Sequence, residues 1–266
     1  MKISRIVFGF LIVVAFTIAD ASDYEGLNAD EKGLAIAKEA KLRDEGFSDS
    51  EELLTMILKD RRGNERIRQM RVLTLERKDD GDWSLSIFDE PADVKGTAML
   101  TYSHGLEPDD QWLYLPALKR VKRISSKNRS GLFMGSEFAF EDLSSFELEK
   151  FKYKFLRKEA CDGEQCFVSE WIPAYEHSGY SKQIIWHDTN EYRIHRIDYY
   201  DRTNKLLKTL KLLQYKQFIG KYWRSMRMDM LNHKTGENTI LTYSNYRFKI
   251  GLTDRDFDLN ALKRAK

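Results

Sequence analysis

Apolar and polar residues alternate with period 2 over much of this chain. Leu54, Met56 and Leu58 recur at every second position, and so do Trp83, Leu85 and Ile87, set between Ser84 and Ser86. Alternation of this kind describes strands with one face buried. Further strand-like runs lie at residues 182–188, 193–201, 206–215, 222–231 and 239–248. Turn clusters separate them, among them Arg62-Gly63-Asn64, Asp79-Asp80-Gly81-Asp82, Asp188-Thr189-Asn190 and His233-Lys234-Thr235-Gly236. Ten or eleven strands at near-regular spacing predict one large antiparallel sheet, curved or closed. One helix interrupts the pattern near the start. Asn28 precedes Glu31 by three residues, a capping-box spacing, and Leu34, Ile36, Ala37 and Ala40 follow before a stop at Gly46. No Pro- or Gly-rich linker divides the chain, so residues 22–266 are expected to form a single, mainly β domain.

The first residues break the pattern. Lys2 and Arg5 precede an apolar run at residues 6–19, followed by Ala19-Asp20-Ala21. This is the layout of a secretory signal peptide, with cleavage expected after Ala21. The run is short of the roughly 20 residues of a spanning helix, so an uncleaved anchor is the weaker alternative. Secretion accounts for the two cysteines. Cys161 and Cys166 flank Asp162-Gly163-Glu164-Gln165, a turn between strand-like runs, and an oxidising compartment favours a hairpin disulfide. A redox or metal role fits less well, because there is no C-x-x-C spacing and no nearby His.

Composition narrows the function. The chain has 266 residues, 44 Lys plus Arg against 42 Asp plus Glu, and a formal charge of +2, which argues against a dedicated nucleic-acid binder. The five histidines show no metal-ligand spacing, and no nucleophile-elbow, zincin or phosphate-loop motif occurs. Glu137, Glu141 and Asp142 form a carboxylate cluster suited in principle to acid–base work, but 42 acidic residues make such a cluster ordinary. No catalytic residue, metal or cofactor is expected. Met226, Met228 and Met230 put three thioethers on one strand face. They form either core under a helix or a soft wall that adapts to apolar ligands. Lys119, Arg120, Lys122, Arg123, Lys127 and Arg129 form a basic stretch, suited to anionic headgroups, to an acidic partner, or simply to guarding a strand edge.

Two motifs carry a resemblance. One is Gln111-Trp112-Leu113-Tyr114-Leu115-Pro116-Ala117-Leu118-Lys119-Arg120-Val121-Lys122-Arg123-Ile124. The other is Ser130-Gly131-Leu132-Phe133-Met134-Gly135-Ser136-Glu137-Phe138-Ala139-Phe140-Glu141-Asp142-Leu143. Together with Gly46-Phe47, Pro91-Ala92-Asp93-Val94-Lys95-Gly96-Thr97 and Asp256-Phe257-Asp258, they resemble the outer-membrane lipoprotein-sorting protein family. These are periplasmic carriers with a LolA-like fold. The similarity is greatest to the branch associated with RND-superfamily (MMPL-type) exporters, which usually shows Asp at position 137 and Tyr at position 140. The resemblance implies a strongly curved, unclosed antiparallel half-barrel with short helices over its concave apolar face, and a cavity there for lipid or acylated cargo. It implies no catalysis. Met56, Trp83, Leu85, Ile87, Trp112, Tyr114, Met226, Met228 and Met230 are the candidate wall. Leu132, Phe133, Met134 and Phe138, near Gly131 and Gly135, are a candidate lid or a buried packing element. Lys119, Arg120, Lys122 and Arg123 are the candidate docking residues for a headgroup or exporter. A non-carrier adaptor and a lipid or glycan hydrolase are the rival readings.

Overall fold

The computed structural model describes residues 24–264; the signal peptide expected at residues 1–21 lies outside the described residues. Helix α1 (Ala29–Asp44) opens as its sequence predicts. The Asn28 side chain accepts from the backbone N–H groups of Asp30 and Glu31, and the Glu31 carboxylate accepts from the Asn28 N–H. Ile36 and Ala37 are buried on its inward side. Gly33 is also buried, and a Cβ there would lie 2.8 Å from the Lys154 backbone. A side chain at that position would hold the helix off the strand beneath it.

Thirteen strands follow: β1 (Asp49–Lys59), β2 (Glu65–Leu75), β3 (Trp83–Glu90), β4 (Ala98–Tyr102), β5 (Asp110–Leu115), β6 (Arg120–Ile124), β7 (Phe151–Cys161), β8 (Glu164–Pro173), β9 (Tyr180–Asp188), β10 (Ile194–Asp201), β11 (Leu206–Phe218), β12 (Tyr222–Asn232) and β13 (Asn238–Phe248). The count exceeds the expected ten or eleven; β4 and β6, five residues each, are too short to carry a readable period. All belong to one sheet in the order β6-β5-β4-β3-β2-β1-β13-β12-β11-β10-β9-β8-β7. Every pairing is antiparallel. Two meanders thus meet where β1 pairs with β13, and β6 and β7 form opposite edges.

If flat, such a sheet would span about 60 Å. Yet a single apolar cluster includes Leu113 and Ile124 near one edge, Tyr153 and Trp171 near the other, and Met56 and Leu241 in the middle. The sheet therefore curls around this cluster, which marks its inner, concave face. The outer face is bare over much of its area, with Leu53 and Ile67 exposed. Around β3–β5 a second cluster forms on the outer side. There Leu75, Leu85, Ile87, Ala98 and Leu100 are covered by Phe257 and Leu262 of the C-terminal segment, which ends in α2 (Leu259–Arg264).

Cys161 and Cys166 are disulfide-bonded. They bracket a two-residue β7–β8 turn in which Asp162 (φ 44°) and Gly163 (φ 86°) both adopt positive φ, the conformation that Asp-Gly favours in tight hairpins.

Candidate functional site

Because β6 and β7 lie at opposite edges, residues 125–150 must cross the whole sheet, and they do so over the inner face. Midway, the chain folds into a small hairpin. The Phe133 N–H donates to the Phe138 carbonyl, the Phe140 N–H donates to the Gly131 carbonyl, and Met134 and Gly135 turn with φ of 50° and 73°. Phe133, Phe138 and Phe140 are buried in the inner cluster, with the Phe133 ring 5.7 Å from Phe88 and 6.0 Å from Phe140. Met134 is half-buried against the same cluster, and Leu132 is exposed. The candidate lid residues therefore form a plug with one outward leucine, rather than a free apolar tip or a helix. Phe140 needs no hydroxyl here; its ring packs on Phe133, and its backbone carbonyl accepts from Gln111.

Polar side chains clamp this plug to strands on both sides. The buried Lys208 on β11 donates to the Glu137 carbonyl at 2.8 Å and to the Asp142 carboxylate at 2.6 Å. Asn232 donates to the Glu137 carboxylate, and the Glu137 N–H donates to Thr239. From β2, Arg68 donates to the Met134 carbonyl. Glu141 accepts from Tyr175, Ser178 and the Gly179 N–H, while Tyr180 donates to Asp142. Burial raises the Glu141 pKa, and the neighbouring Asp142 adds to the rise. Burial likewise raises that of Glu137. The carboxylate cluster noticed in the sequence thus holds the crossing chain in place, with its acceptor capacity taken by groups of the fold.

The plug leaves part of the inner face less covered. On β12, Met230 is fully buried, but Met228 and Met226 are half-buried, and Met226 lies outside the apolar cluster. Across β13 stand Tyr243, whose hydroxyl lies 3.7 Å from the Met228 sulfur, then Tyr246 and Phe248. An aromatic stack closes this end. The rings of Tyr246 and Phe248 are 5.8 Å apart, Phe218 lies 5.2 Å from Tyr246, and Tyr222 and Phe47 pack on Phe248. The Arg224 guanidinium lies 5.3 Å from the Phe47 ring and pairs with Asp44 of α1. This is an apolar wall of flexible thioethers and aromatic rings with a few polar tips, the composition of a site for adaptable apolar ligands.

The structure divides the expected wall between two faces. Met56, Met228 and Met230 belong to the inner cluster. Leu85 and Ile87 lie on the outer face with Trp83, Trp112 and Tyr114 packed beside them under the C-terminal segment. These five residues do not share a wall with the methionines, because β3 turns Ser84, Ser86 and Phe88 inward instead. Of the basic stretch, Lys119, Arg120, Lys122 and Arg123 are exposed on or beside edge strand β6, and Arg123 pairs with Asp110. Arg129 is buried near Asp109 (3.6 Å), to which Lys150 donates at 2.9 Å. Sequence reasoning passed over Glu52, Tyr243, Tyr246 and Arg224. The β13 alternation held the signal for the tyrosines, but a bulge at Asn245 (φ 53°) shifts its phase. Among the described residues no cluster suited to a metal ion occurs, and no helix is long and apolar enough to cross a membrane.

A curled, unclosed antiparallel sheet with an apolar inner face crossed by its own chain defines the LolA-like class. Known structures agree. An outer membrane lipoprotein-sorting protein domain from Vibrio parahaemolyticus is 54% identical, with a TM-score of 0.87, covering 88% of this chain and 100% of the other. A DUF1329 family protein from Desulfovibrio piger is 30% identical (TM-score 0.84; 89% and 100% covered). A LolA superfamily protein from Nitrosomonas europaea, 21% identical, shares the fold (TM-score 0.70; 86% and 98% covered). A family described only as an uncharacterized protein matches residues 80–264. No curated protein matches the chain. The chain belongs to the outer membrane lipoprotein-sorting protein family, as its two central motifs imply.

Proposed function

We propose that this protein is a periplasmic carrier of lipid or acylated cargo that works with an inner-membrane exporter of the RND type. The half-buried Met226 and Met228 of β12, the latter against Tyr243 in the inner cluster, carry this reading. The name given to the Vibrio parahaemolyticus relative supports it. Acyl burial supplies the affinity, at about 0.8 kcal/mol per CH₂ before ordering costs. The reading involves no catalysis and no cofactor. The test is native mass spectrometry of the purified protein together with titration of a fluorescent fatty acid. Co-purifying lipid or saturable binding is expected, and replacing Met226, Met228 and Met230 with Gln should weaken it. Absence of both signals in the parent protein overturns the proposal.

A second reading, a docking adaptor without cargo, is favoured by one observation. Among the described residues, Lys119, Arg120 and Lys122 have no carboxylate at ion-pair distance, so an exposed edge strand presents uncompensated positive charge. Normal transport by a stable variant that no longer binds lipid would favour the adaptor.

A further inference from the structure

Glu52 is the odd residue of the inner face. It sits between Ser50 and Leu54 in the inward row of β1, opposite the two bulged residues Asn245 and Tyr246 of β13. Only 6% of it is exposed. Where the bulge parts the strands there is an open groove of about 380 Å³, lined by Glu52 and Tyr246 of the inward rows and by Glu51, Leu53, Asn245 and Arg247, of which Leu53 and Arg247 are exposed on the outer face. The charged and titratable groups around it are otherwise engaged. Arg224 of β12 is paired with Asp44 of α1, Arg247 with Glu51, and the Tyr243 hydroxyl lies on the Met228 sulfur. Among the described residues, Glu52 forms no ion pair, and its one hydrogen bond comes from the Ser50 hydroxyl at 3.3 Å. An ionised carboxylate this deeply buried and without a cation is strongly disfavoured. Burial pushes its pKa up to about 8, offset only in part by Arg224. Below that pH the carboxyl keeps its proton, and the Ser50 hydroxyl is its one hydrogen-bond partner among the described residues. The inward row of β1 thus contains a buried carboxyl group, opposite Tyr246 of β13.

We propose that Glu52 is the polar anchor of the cargo site, a carboxyl group that donates a hydrogen bond to the ester or amide carbonyl joining an acyl chain to its head. This rests on the carrier reading and adds the ligand class that its wall selects: acylated molecules with a carbonyl at the chain's root, over plain hydrocarbon or ether-linked chains. Proton loss removes the donor and sets a negative charge against the carbonyl oxygen, so the selectivity falls as the pH rises through about 8.

The test compares two monomeric lipids with the same head and chain length, dihexanoyl phosphatidylcholine and its ether-linked analogue, as competitors of a fluorescent acyl probe. The expected result is about fivefold tighter binding of the ester at about pH 6, the effect of one net hydrogen bond, with the preference lost at about pH 9.5. Glu52→Gln retains an N–H donor and should keep the preference at both pH values, whereas Glu52→Leu should abolish it. Equal affinity of the native protein for ester and ether at about pH 6 overturns the anchor and leaves the carrier reading standing. Failure of both lipids and of the probe to bind overturns the carrier reading, and the anchor with it.

Discussion

Replacing Phe133 with Ala tests whether the crossing hairpin occupies space that cargo would use. The ring is 2% exposed and packs on Phe88 and Phe140. Its loss forfeits about 2 kcal/mol of transfer free energy. A residual void of about 80 Å³ adds about 2 kcal/mol more at about 24 cal/mol per Å³. Urea denaturation should therefore show about 4 kcal/mol lost, or about 2 kcal/mol if the hairpin collapses into the gap. Binding should move the other way. Phe133 belongs to the same inner cluster as Met230 and Met228, so a void there extends the apolar wall, and a fluorescent acyl probe should bind several-fold more tightly. Part of the lost stability should return when lipid saturates the variant, because a ligand that binds only the folded state stabilises it by mass action. Loss of less than about 1 kcal/mol would refute the packing. A full loss of stability with unchanged or weaker probe binding would refute continuity between plug and cargo wall.

Two further changes separate the supports of the plug from those of the sheet. Lys208→Met leaves the Asp142 carboxylate buried without its cation, and should cost about 3 kcal/mol in urea denaturation and open residues 131–140 to limited proteolysis. A hairpin still protected from protease would show that Asn232, Thr239 and Arg68 hold it unaided. Replacing both Cys161 and Cys166 with Ser should cost only about 2 kcal/mol, because the loop they close is short, and should leave lipid binding intact. A larger loss, or loss of binding, would give the bridge a role beyond stapling the β7–β8 turn.

Much of this architecture was legible because local rules govern it. The Asn28 cap, the Asp162-Gly163 turn, the strands around Met56 and Met228 and the mainly β fold follow from neighbouring residues alone. The assignment of faces did not. Period 2 at Trp83, Leu85 and Ile87 fixes which residues share a side, but not which side is inward. Both sides of β3–β5 are apolar, since Phe257 and Leu262 return from the far end of the chain to cover the outer one. Buried charges were equally hard to read. Lys208, Arg129 and Glu52 sit in runs that look like solvated surface, and only the long-range approach of Asp142 or Asp109, or the want of an ion-pair partner for Glu52, gives each its meaning.

The topology constrains how a carrier of this kind opens. In a sheet whose chain order places β6 and β7 at opposite edges, the inner face is crossed by the protein whatever else it holds. A lid hinged at one end would swing clear of such a face, but this strap is tied at both. Arg129 and Lys150 meet at Asp109, and Glu141 is held by the β8–β9 turn. In the carrier reading, cargo would therefore gain room by displacing the hairpin between the ties, at residues 131–140, without detaching the strap. That hairpin is itself held by Lys208, Asn232, Thr239 and Arg68, so entry of a chain must offset several buried polar contacts. The half-buried Met226, Met228, Tyr243 and Tyr246 lie outside those polar clamps. In the carrier reading, a chain that bound first there and then advanced toward Phe133 would meet those clamps last, and Glu52 lies opposite Tyr246 on the neighbouring strand.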